Sequence, residues 1–279
     1  MLKYELIPEQ LIYEGIITSS NLISPEIIEE QFIMLTHEEQ YWRRLRDQQL
    51  SPAEERRIGF KLSPRLVERE MRIAQGTIET SLSALKDGVG FNVAGGTHHA
   101  GSNWGEGFCL LNDQAIAANY LLNKRLAKRI LIIDLDVHQG NGTAEIFKNE
   151  SRVFTFSMHG QNNFPFRKEK SDLDIGLMDG TPDDEYLHLL QHHLNTTFEQ
   201  IRPDFAFYLS GVDVLATDKL GKMNLSVQAC KERDQMVFDS CRQYNAPVQV
   251  SMGGGYSPGI REIVQAHCNT FKTAIHLYF

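Results

Sequence analysis

The 279-residue sequence has no basic excess, no long apolar run and no paired cysteine spacing, and each absence removes a class of function. Lysine and arginine number 28 against 36 aspartate and glutamate, for a net charge of −8. With no basic stripe, nucleic-acid binding is not expected, whereas a cationic substrate is compatible. No apolar run reaches about 18 residues, so no membrane span is expected. The opening Met1-Leu2-Lys3-Tyr4-Glu5 lacks the apolar core of a secretory signal. Cys109, Cys230, Cys241 and Cys268 are scattered without a C-x-x-C pair. A reduced protein in the cytoplasm is the simpler reading. There is no internal repeat, low-complexity tract or linker, and one domain over 1–279 follows.

What the sequence does contain is strand–helix alternation. Residues 1–62 read as helices and loops, with Ser24-Pro25-Glu26 and Ser51-Pro52-Ala53-Glu54 as helix starts. The charged run from 38 to 57 reads as a solvated face. Ser63-Pro64 opens a longer helix to about residue 86, stopped by Asp87-Gly88. Strand-like runs then fall at 91–94, 130–136, 153–158, 205–209, 248–252 and 273–278. Helix-like segments lie between them at about 110–123, 144–149, 184–201, 226–245 and 258–267. This alternation predicts an α/β fold, a mostly parallel sheet with helices on both faces. Ligands in such folds sit beyond the carboxyl ends of the strands.

Polar residues gather at those ends. The run 130–136 is apolar up to Asp134, and Asp134, Asp136 and His138 are spaced by two, which on a strand places them on one side. Two carboxylates and an imidazole at a buried strand end cost on the order of several kcal/mol unless compensated. A divalent metal compensates them. The other strands end in Gly95-Gly96-Thr97-His98-His99-Ala100, Ser157-Met158-His159, Ser210-Gly211-Val212-Asp213 and Gly253-Gly254-Gly255-Tyr256. In a parallel sheet all of these meet at one edge. Asp136, His138 and Asp213 together offer two oxygens and a nitrogen, which suits a zinc ion with an open position. Singly, each aspartate is an ordinary turn or cap residue. His98 and His99 reach one site only if the backbone bends, which Gly95, Gly96 and Gly101 permit. One of them could then serve as general base and acid, with Asp134 and Asn141 as the natural orienting partners. Tyr256, after three glycines, could donate a hydrogen bond to a carbonyl oxygen as it gains charge.

The motifs Gly95-Gly96-Thr97-His98-His99-Ala100, Gly107-Phe108-Cys109, Asp134 through Thr143, Gly211-Val212-Asp213 and Gly253-Gly254-Gly255-Tyr256, in this order over about 160 residues, resemble the zinc-dependent histone deacetylase family of the arginase/deacetylase fold. Phe60-Lys61-Leu62-Ser63-Pro64 and Asp183-Asp184-Glu185-Tyr186 look most like its class IV branch and bacterial relatives. The resemblance implies a three-layer domain and hydrolysis of acyl groups, from acetyl to fatty acyl, on lysine side chains of proteins or peptides. It assigns zinc to Asp136, His138 and Asp213. His99 would be the base, His98 its electrostatic partner held by Asp134, and Tyr256 the group that polarises the carbonyl. Gly107, Phe108, Phe164 and Gly254 would line the tunnel. A potassium or sodium ion would involve Asp134, Asp136, His138, Ser157 and Met158. A small acylated amine such as an acetylated polyamine is a second substrate class, and a non-catalytic acyl-lysine binder a third reading. A two-metal hydrolase of the same fold is disfavoured by Leu215, which stands where a second aspartate ligand would be needed. Three departures from the family pattern stand out. Asn141 replaces an aspartate found in class I and predicts a less basic His99. Phe164-Pro165-Phe166 replaces the common Phe-Pro-Gly. Helix-like sequence begins where the family usually has a first strand, which bears on the sheet edge and the loops near the pocket and not on the metal site.

Overall fold

In a computed structural model, which describes residues 2–279, the chain forms one six-stranded sheet flanked by helices. The elements in order are α1 (Lys3–Tyr13), α2 (Glu30–Ile33), α3 (Glu39–Arg46), α4 (Pro52–Ile58), α5 (Pro64–Asp87), β1 (Val89–Asn92), α6 (Asp113–Asn123), β2 (Ile130–Asp134), α7 (Asn141–Phe147), β3 (Val153–Gly160), β4 (Leu173–Leu177), α8 (Asp183–Ile201), β5 (Phe205–Leu209), α9 (Val227–Gln243), β6 (Val248–Ser251) and α10 (Ile260–Tyr278). The strand order is β1-β6-β5-β2-β3-β4, and every pairing is parallel.

The fully buried β2, apolar up to Asp134, and β5 sit centrally because both faces of the sheet are covered. Alternation along β2 divides the core. Leu131 and Ile133 join one cluster with α1, α8, α9 and α10, through Ile7, Leu194, Phe238 and Phe271. Ile130 and Ile132 join the other, with Tyr41, Trp42, Ile78 and Ile116 from α3, α5 and α6. The register then places Asp134 beside both Ser157 and Leu209, so the strand ends converge as expected from the sequence. Among the described residues no helix is long and apolar enough to cross a membrane.

Several expectations need correction. Residues 273–278 are not a strand but the last turns of α10, which therefore runs well past residue 267. Thr273, Ala274 and Phe271 are buried at helical spacing that continues from Ile263, so the apparent alternation was the tail of a longer helical period. β4 was missed. It is a half-exposed edge strand with only Leu177 buried, and carries too little apolar signal. Ser24-Pro25 starts no helix, since α2 begins only at Glu30. The charged run is not simply solvated, because Tyr41, Trp42 and Leu45 on α3 are buried. Finally, β2 stops at Asp134, so Asp136 and His138 lie in the following loop rather than on the strand.

Candidate metal and catalytic site

The loop after β2 and the loops after β5 and β6 bring Asp136, His138 and Asp213 together, with one donor atom from each within 4.8 Å of the others. Backbone N–H groups fix the carboxylates. Asp136 Oδ1 accepts from the N–H of His138 at 3.0 Å and Oδ2 from that of Gly254 at 2.8 Å. Asp213 Oδ1 accepts from the N–H of Val137 at 2.9 Å. Nδ1 of His138 lies 3.0 Å from Asp136 Oδ1 and 3.3 Å from Asp213 Oδ2. Asp213 Oδ2 is fully buried and, among the described residues, accepts no hydrogen bond. A buried carboxylate oxygen without a donor is costly, and here it faces an imidazole nitrogen and a second carboxylate. Burial, then the charge of Asp136, pushes the Asp213 carboxyl up, while the two carboxylates hold His138 up to about 10 against its own burial. The trio therefore fits a divalent cation, and its mixed nitrogen and oxygen donors fit zinc.

Two histidines stand beside it, their ring centroids 4.1 Å apart. Thr97 is fixed by Asp113, whose carboxylate accepts from the Thr97 N–H at 2.8 Å and its hydroxyl at 2.7 Å. The two side chains that follow are thereby aimed inward. His98 Nδ1 lies 2.7 Å from Asp134 Oδ2, and His99 Nδ1 2.6 Å from Asn141 Oδ1. The two differ in character. Burial disfavours charge on both, but the carboxylate of Asp134, helped by Asp136, reverses this for His98 and holds it up to about 9. His99 has no such carboxylate. Burial and the neighbouring His98 and His138 push it well below the ordinary imidazole range.

A cavity of about 460 Å³ opens at these groups, lined by His98, His99, Asp136, His138 and Asp213 and by Gly107, Phe108, Phe164, Gly254 and Tyr256. The Phe164 ring stands edge-on to His99 at 5.0 Å. Burial pushes the Tyr256 phenol up, so it remains a donor. Phe166 lines the mouth and is 90% exposed, so it shapes the rim rather than packing inside. Of the residues singled out in the sequence, Asp134 and Asn141 lie behind the histidines, and Ser157 and Met158 are buried in β3 outside the cavity lining.

Several supporting residues carried no signal of their own. Asp218 accepts from the Tyr256 N–H at 2.5 Å. Lys3, from the first turn of α1, donates to the Gly253 carbonyl at 2.7 Å across 250 positions of sequence. His37 bridges the Gly101 carbonyl and the Asn112 N–H at 2.9 and 3.0 Å. Glu106 binds the Asn141 side chain at 3.0 Å. Only Glu106, next to the Gly107-Phe108 motif, could have been suspected from its position.

The family model described as the histone deacetylase domain matches residues 2–271. The chain belongs to the histone deacetylase family. It is a deacetylase-type hydrolase. Similar sequences include an uncharacterized protein of Picosynechococcus sp., 41% identical over all of this chain and 93% of that protein. They also include histone deacetylase 2 of Arabidopsis thaliana, 27% identical over 91% of this chain and 68% of that one. Among solved structures, an HDAC homolog complexed with SAHA superposes with a TM-score of 0.84 at 26% identity, covering 97% of this deacetylase-family chain and 77% of that chain. An HDAC homolog from Aquifex aeolicus gives 0.83 at 25% identity over 96% and 77%.

Proposed function

We propose that this chain is a zinc-dependent lysine deacylase of class IV type, working as a single catalytic domain over 1–279 in the cytoplasm. The observation that carries this reading is the meeting, in one cavity, of a metal-competent trio, a neutral histidine and a protonated tyrosine. Asp136, His138 and Asp213 would hold the zinc, which when bound supplies a Lewis acid and an acidified water. His99, neutral at physiological pH, takes the proton of the attacking water at its free Nε2. His98, charged and held by Asp134, stabilises negative charge nearby and keeps the neighbouring His99 uncharged and free to act as a base. Tyr256 donates its hydroxyl hydrogen to the acyl oxygen as charge builds there. The imidazolium of His99 returns the proton to the departing lysine amine. Phe108 and Phe164 clasp the aliphatic stem and keep water out, and Gly107 and Gly254 leave room for it.

A potassium or sodium ion near Asp134, Asp136, His138, Ser157 and Met158 would complete the electrostatics. The burial of Asp134 and its pairing with Ser157 across β2 and β3 support that assignment. Cytoplasmic residence is supported by the four cysteines, all free and buried. A protein or peptide substrate is favoured over an acetylated polyamine, because the cavity lining carries Arg57, Arg69 and Lys222 where an acidic gate for a second cationic centre would be expected.

The test is hydrolysis of acetyl-, octanoyl- and myristoyl-lysine peptides with and without chelator, followed by zinc add-back. Hydrolysis of at least one peptide, lost on chelation and restored by zinc, is expected. Failure of every peptide to be cleaved in a chelator-sensitive manner would remove the deacylase reading.

A further inference from the structure

We infer that Glu106 is a positioning residue for His99, and that it sets which ring nitrogen of His99 carries the proton by orienting the side-chain amide of Asn141. This rests on the reading of His99 as the base. An asparagine amide can sit in either of two orientations, and its neighbours decide which. Asn141 has a different neighbour on each side. Glu106 Oε2 is 3.0 Å from Nδ2, and His99 Nδ1 is 2.6 Å from Oδ1. A carboxylate only accepts, so the NH2 group must face Glu106 and the amide oxygen must face His99. That oxygen accepts only from a protonated Nδ1. Nε2 is left with its lone pair in the cavity that His99 lines.

Glu106 is itself fixed. Its Oε1 accepts from Arg57 Nε at 3.0 Å, and the Arg57 guanidinium lies 4.5 Å over the Trp104 ring. The backbone of the turn that follows is pinned to the end of α4. Gly107 N–H donates to the Arg57 carbonyl at 3.2 Å and Phe108 N–H to that of Ile58 at 2.7 Å. Gly107 and Phe108 both take positive φ, 53° and 68°, and so close a tight turn in which Glu106 and Cys109 exchange backbone hydrogen bonds. A run of contacts thus leads from Arg57 at the rim to the base: Arg57, Glu106, Asn141, His99. It also accounts for the amide at position 141. An aspartate there would set a second carboxylate at hydrogen-bond distance from Glu106, with no proton between them and strong mutual repulsion.

The test reads the tautomer directly. Long-range nitrogen–proton NMR of the metal-loaded enzyme, with the His99 signals assigned by their loss in His99→Phe, should show a protonated Nδ1 and an unprotonated Nε2. Glu106→Ala should mix the two tautomers and lower kcat about tenfold with KM changed less than about twofold. Glu106→Gln, whose carbonyl still accepts from Asn141, should keep most of kcat. Asn141→Asp alone should lose about tenfold or more. Joined to Glu106→Gln it should recover to within about threefold of the parent, because the new amide donates to the new carboxylate. An unchanged tautomer in Glu106→Ala, or a double variant no better than Asn141→Asp, overturns the inference. Hydrolysis surviving in His99→Phe would instead remove the base assignment, a result separable from the tautomer, which is read without turnover.

Discussion

Gly254 shows how tightly single residues are specified around the candidate metal trio. A Cβ built on it would fall 1.8 Å from Asp213 Oδ2 and 3.0 Å from Asp136 Oδ2, the two carboxylates that the trio needs. Its N–H also donates to Asp136. Gly254→Ala must therefore displace either the loop or the ligands. Overpacking of this kind costs about 1–3 kcal/mol, and here it falls on the proposed metal site first. The expected outcome is a metal content well below one ion per chain by elemental analysis, with hydrolysis reduced at least about a hundredfold. Gly259, with nothing within 4 Å of its Cβ position, is the control, and Gly259→Ala should retain full metal. Equal metal content in the two variants would show that the loop yields without disturbing Asp213.

Helix α4 illustrates what a local pattern can specify without tertiary help. Ser51 accepts from the Glu54 N–H, while Glu54 reaches back to the Ser51 N–H at 2.8 Å, a closed capping box with Pro52 at the first turn. Glu54 also binds Arg44 of α3 at 2.8 and 3.1 Å. That guanidinium, and then the Ser51 hydrogen bonds, hold its carboxyl down at about 2 despite partial burial. Because the folded value lies below the unfolded one, near 4.5, the stabilisation is complete above pH 4.5 and fades as pH falls toward 2. Glu54→Gln keeps an acceptor for the cap but drops the charge. It should cost about 1 kcal/mol in urea unfolding at pH 7, the full shift being discounted for solvent screening. The gap should shrink markedly by pH 3, and a gap constant over this range would place the effect elsewhere. The same contrast explains what was legible in the sequence. Caps at Ser51, Ser63 and Ser226 and the buried run of β5 are local, and each lies where the residues place it, while β2 begins at Ile130 as expected but ends at Asp134. The tail of α10 is ambiguous in the sequence because Thr273 through Tyr278 satisfies a period of two as well as one of 3.6, and only packing against the sheet decides. β4 had no clear period because an edge strand is covered on little of its surface. The Lys3 tie to Gly253 and the Glu106 tie to Asn141 link distant segments, and no spacing announces them.

At the scale of the whole molecule, a parallel sheet carries the ends of β2, β5 and β6 to one edge, and that edge collects charge the core cannot solvate. Asp134, Asp136 and Asp213 are each at most 4% exposed. Their balance comes from backbone donors on several loops, from His98 and His138, and from Lys3, whose ammonium is buried and lowered to about 8 by desolvation although Asp213, Asp136 and Asp218 pull it back up. A site built from segments so far apart in sequence would, as the proposed metal site, link metal binding to global stability, because the unfolded chain cannot assemble Asp136 and His138 with Asp213. A divalent ion present at about a hundred times its dissociation constant adds about 2.7 kcal/mol. For a chain of this length that is a rise of about 5 °C in the unfolding midpoint. Chelation should therefore lower the midpoint by about 5 °C or more, and zinc should restore it. Asp213→Asn separates the contributions. It removes one of two carboxylates that repel each other, so its midpoint without metal should lie at or above that of the chelated parent, while zinc should no longer raise it. Scanning calorimetry of both proteins, each with and without chelator, gives the four midpoints. If zinc stabilised Asp213→Asn as much as the parent, Asp213 would not be a ligand, and the orphaned Oδ2 would need another partner.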